Sequence, residues 1–117
     1  MQAKNSPELK RAGFSHEFQE GKIKRIELLN GRHVAVVLWQ GSFYAFEDQC
    51  PHRGAALSDG RFHEGKISCP WHAATFEVIS GQCLGGPSKV PLHLHSPFLK
   101  ETPLGTEVWV KEAPIRG

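Results

Sequence analysis

Cys50-Pro51-His52 and Cys69-Pro70-Trp71-His72 each set one thiol and one imidazole on a short, proline-stiffened turn. A soft thiolate beside an imidazole is ligation chemistry for a metal centre rather than the chemistry of a catalytic nucleophile. Sixteen residues separate His52 from Cys69, enough chain for two loops to meet around one centre. The chain offers no Ser-His-Asp constellation, no paired acid–base carboxylate motif and no phosphate loop, so substrate chemistry of its own is not expected.

Short apolar stretches punctuated by glycine turns must position those loops, and the pattern is all-β. Residues 22–29 and 33–39 flank Asn30-Gly31, a dipeptide suited to positive φ at both central positions, so a type I′ hairpin is expected there. Gln40-Gly41, Glu64-Gly65 and Ser80-Gly81 separate strands expected over 42–47, 61–63, 66–69, 75–79 and 82–84, and strands over 90–99 and 107–111 close the sheet. Gly85-Gly86-Pro87-Ser88 is too rich in breakers to be a strand. Residues 1–12 are polar and read as a loose N-terminal tail, leaving 13–117 as one domain. With 14 Lys and Arg against 12 Asp and Glu, and no block of like charge, no track for nucleic acid is present. No stretch approaches the roughly 20 apolar residues of a membrane span, and the start lacks the apolar run of a secretory leader. With two of the three cysteines in ligand-like turns, Cys83 has no obvious disulfide partner, so a reducing, cytoplasmic setting is expected.

Zinc would accept two thiolates and two imidazoles tetrahedrally, but zinc modules commonly pair Cys with Cys and His with His. Here each loop carries a mixed pair. The two cysteines can then take one metal and the two histidines another, which favours a [2Fe–2S] cluster. The chain resembles the Rieske iron–sulfur family, whose motif is Cys-x-His, a spacer of similar length, then Cys-x-x-His. The likeness runs from about residue 21 to 110 and takes in Leu57-Ser58-Asp59-Gly60, Thr75-Phe76-Glu77-Val78 and the proline loop at Gly86-Pro87. It implies three antiparallel β-sheets with the cluster-binding loops at one tip. It also implies one Rieske-type cluster per chain, with Cys50 and Cys69 on the inner iron and His52 and His72 on the outer, solvent-facing one.

Respiratory members resemble this pattern but brace the loops with a disulfide; the matching positions here are Ala55 and Trp71. They also carry a Ser and a Tyr that donate hydrogen bonds to sulfur, where this chain has Ala74 and Phe76. Fewer donors stabilise the added electron less, so the potential is expected low in the Rieske range of roughly −150 to +300 mV. Ala73 stands where the family usually has Gly, which strains that backbone position if it needs positive φ.

The resemblance implies a soluble, low-potential ferredoxin, monomeric when free. It would pass single electrons from a NAD(P)H-dependent flavoprotein reductase to a terminal oxygenase through transient docking. The alternatives are a small subunit of a larger oxidoreductase, such as NAD(P)H-dependent nitrite reductase, and a zinc-bound interaction module. Other residues carry quieter readings. Trp71 shields the cluster or touches a partner, and Arg53 belongs to a docking face or an ion pair. Cys83 is a small buried hydrophobe before it is a redox thiol. His93 and His95 alternate as same-face surface or edge side chains, His16, His33 and His63 stand isolated, and Trp39 and Trp109 pack on sheets.

Overall fold

The computed structural model describes residues 7–51, 55–70, 74–85 and 90–113. Its strands are β1 (Leu9–Phe14), β2 (Ile23–Glu27), β3 (His33–Trp39), β4 (Ser42–Glu47), β5 (Arg61–His63), β6 (Lys66–Ser68), β7 (Thr75–Glu77), β8 (Cys83–Gly85), β9 (Leu94–Thr102) and β10 (Gly105–Lys111). Single 3-10 turns occupy Ser15–Glu17 and Leu57–Asp59. Among the described residues, no helix is long and apolar enough to cross a membrane.

Among the described residues the strands pair antiparallel, with one isolated parallel bridge between Glu20 and Leu38. One sheet runs β1-β10-β9-β4-β3-β2 and the other β5-β6-β7-β8. The larger sheet is two layers joined through β9, which pairs with β4 at Ala45↔His95 and Phe46↔Leu94 and with β10 from Ser96 to Thr102. The described strands thus form two antiparallel sheets where three were expected, because β9 pairs with both β4 and β10 and joins what would be separate sheets into one.

The sequence of β3 explains the layering. Val34 and Val36 point into a core with Val108, Val110, Ala12 and Ala45, while Ala35 and Val37 point into a second core with Phe46, Ile67, Phe76 and both motif cysteines. A strand buried on both faces reads as a continuous apolar run, not an alternating one. Phe46 and Phe76 are fully enclosed, each contributing about 2–3 kcal/mol of apolar burial.

The turns differ from expectation. Gly31 has φ of +88° but Asn30 is not in the left-handed region. The Gly31 N–H donates to the Leu28 carbonyl at 3.0 Å, which makes a type I turn followed by a left-handed glycine, not a type I′ turn. Asn30 is engaged otherwise: its Oδ1 accepts the Arg32 N–H and its Nδ2 donates to Glu112. The type I′ geometry falls at Gln40-Gly41 and Glu64-Gly65, where both residues of each pair have positive φ and the flanking residues pair as Trp39↔Ser42 and His63↔Lys66. Left-handed backbone costs a non-glycine residue about 1–2 kcal/mol, offset at Gln40 by its N–H donating to the Glu20 carboxylate.

Residues 9–12, expected in a loose tail, begin edge strand β1, registered from Leu9↔Lys111 to Phe14↔Glu107. The polar residues there face outward while Ala12 is buried, so a half-exposed edge strand resembled a tail. β9 starts at Leu94 and continues to Thr102, four residues later than expected from 90–99.

Candidate metal centre

Cys50 follows the end of β4, and Cys69 follows β6. The two loops close in the same way. The Cys50 N–H donates to the Ala55 carbonyl at 2.7 Å, and the Cys69 N–H donates to the Ala74 carbonyl at 2.8 Å. Both cysteines, 1% and 3% exposed, lie with Ala55, Leu57, Ala74 and Phe76 in the second core. None of the three cysteines is in a disulfide. Two thiols in a water-poor, small-residue setting on equivalent loops fit the thiolate-held side of an iron–sulfur centre. His52 and His72 lie outside the described residues, as do Arg53, Trp71, Ala73 and the Gly86-Pro87 loop.

Two features lock the loops to one another and to the sheet. Gly60 leaves the first loop so close to β6 that a methyl group on it would overlap the Ser68 carbonyl oxygen. Ser68 immediately precedes Cys69, so this glycine brings the exit of one loop against the entrance of the other. Asp48, two residues before Cys50, has a side chain with 0% exposure. It accepts the Ser58 N–H at 2.7 Å and the Ser58 hydroxyl at 2.6 Å, and pairs with Arg25 Nε at 2.9 Å.

A second polar network anchors the end of β4. Glu47 accepts Arg32 Nη2 at 2.8 Å, Arg32 Nε at 3.1 Å and His95 Nε2 at 2.9 Å. The backbone N–H of Ala113 donates to His95 Nδ1 at 2.9 Å. Since that N–H can only donate, Nδ1 is an acceptor, and His95 is the neutral tautomer with its proton on Nε2, directed at Glu47. Burial pushes the Glu47 carboxyl up, but the hydrogen bonds from His95 and Arg32 and the Arg32 charge outweigh it, bringing the pKa down from 4.5 to about 2.

His95 is therefore not a surface side chain as expected; it is 5% exposed and internally bonded. Its ring meets that of His93 edge-on at 4.9 Å, and His93 Nε2 contacts the Ala113 carbonyl oxygen at 2.6 Å. Cys83, expected to be buried, is only partly so and packs against the margin of the second core. Trp39 lies against Tyr44 and Phe62, and Trp109 stacks on Phe98. Asp48 went unnoticed from the sequence, and Ser58, Gly60, Ala55 and Ala74 stood out there only through the family likeness, not as the residues that clamp and close the loops. A signal for the alanines was present: both loops read Cys-Pro and then Ala at the fifth position after Cys.

The Rieske [2Fe-2S] domain profile matches residues 8–103. The chain belongs to the Rieske [2Fe-2S] domain family. With the family goes its cofactor, so the chain carries a Rieske-type [2Fe–2S] cluster, and the zinc-module alternative falls away. Ferredoxin CarAc of Metapseudomonas resinovorans is 35% identical over 85 residues, which are 73% of this chain and 79% of the relative. A chain in the solved complex of reduced oxygenase and oxidized ferredoxin of carbazole 1,9a-dioxygenase superposes with a TM-score of 0.80 at 29% identity, covering 92% of this Rieske domain and 97% of that chain. A protein described as the NADH-dependent nitrite reductase small subunit of Mycobacterium tuberculosis superposes with a TM-score of 0.73 at 23% identity, over 93% of this chain and 98% of that one. That last likeness is one of fold alone.

Proposed function

We propose that this Rieske domain is a one-electron carrier, a ferredoxin that takes electrons from a NAD(P)H-dependent flavoprotein reductase and hands them to a terminal oxygenase. The observation that carries the reading is the pair of buried cysteines, Cys50 and Cys69, on two identically closed loops in one apolar cluster. In this reading Cys50 and Cys69 hold the inner iron, and His52 and His72 hold the outer one. Bound there, a [2Fe–2S] cluster supplies a single one-electron couple.

The chain's own residues set the conditions for that couple. Ala55, Leu57, Ala74 and Phe76 keep water from the cysteine side. Ala74 and Phe76 are fully buried and bring no hydroxyl, which supports a potential low in the Rieske range. Similarity to ferredoxin CarAc and to a chain of the oxygenase–ferredoxin complex supports an oxygenase as electron acceptor, met by brief docking of the kind redox partners use. The chain then serves as a monomeric component of a cytoplasmic system and not as a stand-alone enzyme; its three cysteines, none in a disulfide, support a reducing compartment.

Anaerobic purification tests this. The expected product is red-brown, holds iron and acid-labile sulfide in equal amounts, and gives a Rieske-type paramagnetic resonance signal on reduction. Cys50→Ser or Cys69→Ser removes both elements, and the parent protein supports oxygenase turnover when mixed with a flavoprotein reductase. Zinc without acid-labile sulfide would overturn the proposal.

A further inference from the structure

The two metal-binding loops are closed by the same inner hydrogen bond but held differently outside it. Loop 69–74 joins β6 to β7, and its ends are fixed by an ordinary antiparallel ladder with Ser68 opposite Thr75 and their hydroxyls 3.1 Å apart. Loop 50–55 has no such hairpin. It departs from β4 and returns into the 3-10 turn Leu57–Asp59, whose backbone cannot form a strand ladder with β4.

Asp48 takes the place of the missing ladder. One oxygen accepts the Ser58 backbone N–H and the other accepts the Ser58 hydroxyl, so the two limbs are cross-linked just outside the Cys50–Ala55 closure. The Asp48 N–H itself donates to the His33 carbonyl at 3.0 Å, which ties the clamp to β3. A fully buried carboxylate is costly unless it is compensated, and Arg25 supplies the compensating charge.

We propose that Asp48 is the positioning residue of the first cluster-binding loop, and that Arg25 shields the metal centre from its buried charge. The proposal rests on the reading that Cys50 holds the cluster. Two residues of chain keep the Asp48 and Cys50 α-carbons within roughly 7 Å of each other. At that range in a dry interior, an unbalanced negative charge opposes the uptake of an electron.

Potentiometry on the loaded protein, together with iron and sulfide content and the unfolding midpoint, separates the two roles. Asp48→Asn keeps an acceptor for the Ser58 N–H and a donor for its hydroxyl while removing the charge. It should retain the cluster and raise the potential. Arg25→Gln leaves the carboxylate unbalanced and should lower the potential, and the double variant should return it towards the parent value. Asp48→Ala removes the clamp and should cut iron retention by about tenfold. Ser58→Ala, which deletes only the hydroxyl, should do so more weakly and serves if Asp48→Ala does not fold. A purely structural clamp would change iron retention and the unfolding midpoint but leave the Arg25→Gln potential at the parent value, and that result overturns the shielding role. Full iron retention in both Asp48→Ala and Ser58→Ala overturns the positioning role. A parent protein without iron and sulfide takes down the ligand reading and this proposal together, whereas a loaded parent with unmoved variants takes down this proposal alone.

Discussion

Glu47→Gln should destabilise the protein by about 3 kcal/mol at neutral pH, and the figure follows from the carboxylate's surroundings. The drop in its pKa from 4.5 to about 2 corresponds to about 3 kcal/mol of preferential stabilisation of the charged form on folding. An independent route agrees: breaking a buried ion pair by removing one partner costs about 3–5 kcal/mol. The lower end applies because Arg32 is 29% exposed and keeps Glu112 at 2.8 Å. Because the folded-state pKa is depressed, this stability is complete above the ordinary value of 4.5 and is lost as pH falls towards about 2. Guanidinium unfolding followed by far-ultraviolet circular dichroism measures it, at pH 7 and in steps into the acid range. Acid also attacks an iron–sulfur cluster, but it does so in both chains, so the difference between parent and variant is the readout. The parent should lose more stability than Glu47→Gln below pH 4.5. A difference under about 1 kcal/mol at pH 7, or parallel acid slopes, would refute the assignment of Glu47 as a buried, doubly satisfied anion.

Gly60→Ala should cost about 1–3 kcal/mol through its overlap with the Ser68 carbonyl and lower iron content with it; an unaltered unfolding midpoint and full iron content would show that the loops are not locked there. Ala74→Ser places a hydroxyl at a fully buried position, and a hydrogen bond to sulfur worth about 1 kcal/mol would raise a one-electron potential by about 40 mV. Lost stability without a rise in potential would instead mean that no sulfur lies within reach of residue 74. Exchanging His52 or His72 for Cys adds a negative ligand, so the potential should fall or the cluster be lost; voltammetry showing the parent potential would contradict histidine ligation.

Much of the centre was legible in the chain itself. The proposed ligands Cys50, His52, Cys69 and His72 stand out by residue type and short spacing alone, because the ligand chemistry of a side chain is a local property. The strands over 42–47 and 61–63 were equally plain, bounded as they are by glycine turns. Even locally, a strong signal failed at Asn30-Gly31, where the Asn side chain bonds to Arg32 and Glu112, while the left-handed turns formed at Gln40 and Glu64, residues with no such preference.

What the tertiary structure decided was everything that depends on who faces whom. That β3 is a wall between two cores, that His95 is buried against Glu47, that Gly60 is indispensable for a neighbour eight residues away, and that Asp48 replaces a missing ladder all arise from contacts between distant segments. Sequence spacing carries the period of a strand and the residues of a turn. The pairing of a carboxylate with an arginine from another strand is settled only when burial removes water and leaves those two groups to satisfy each other.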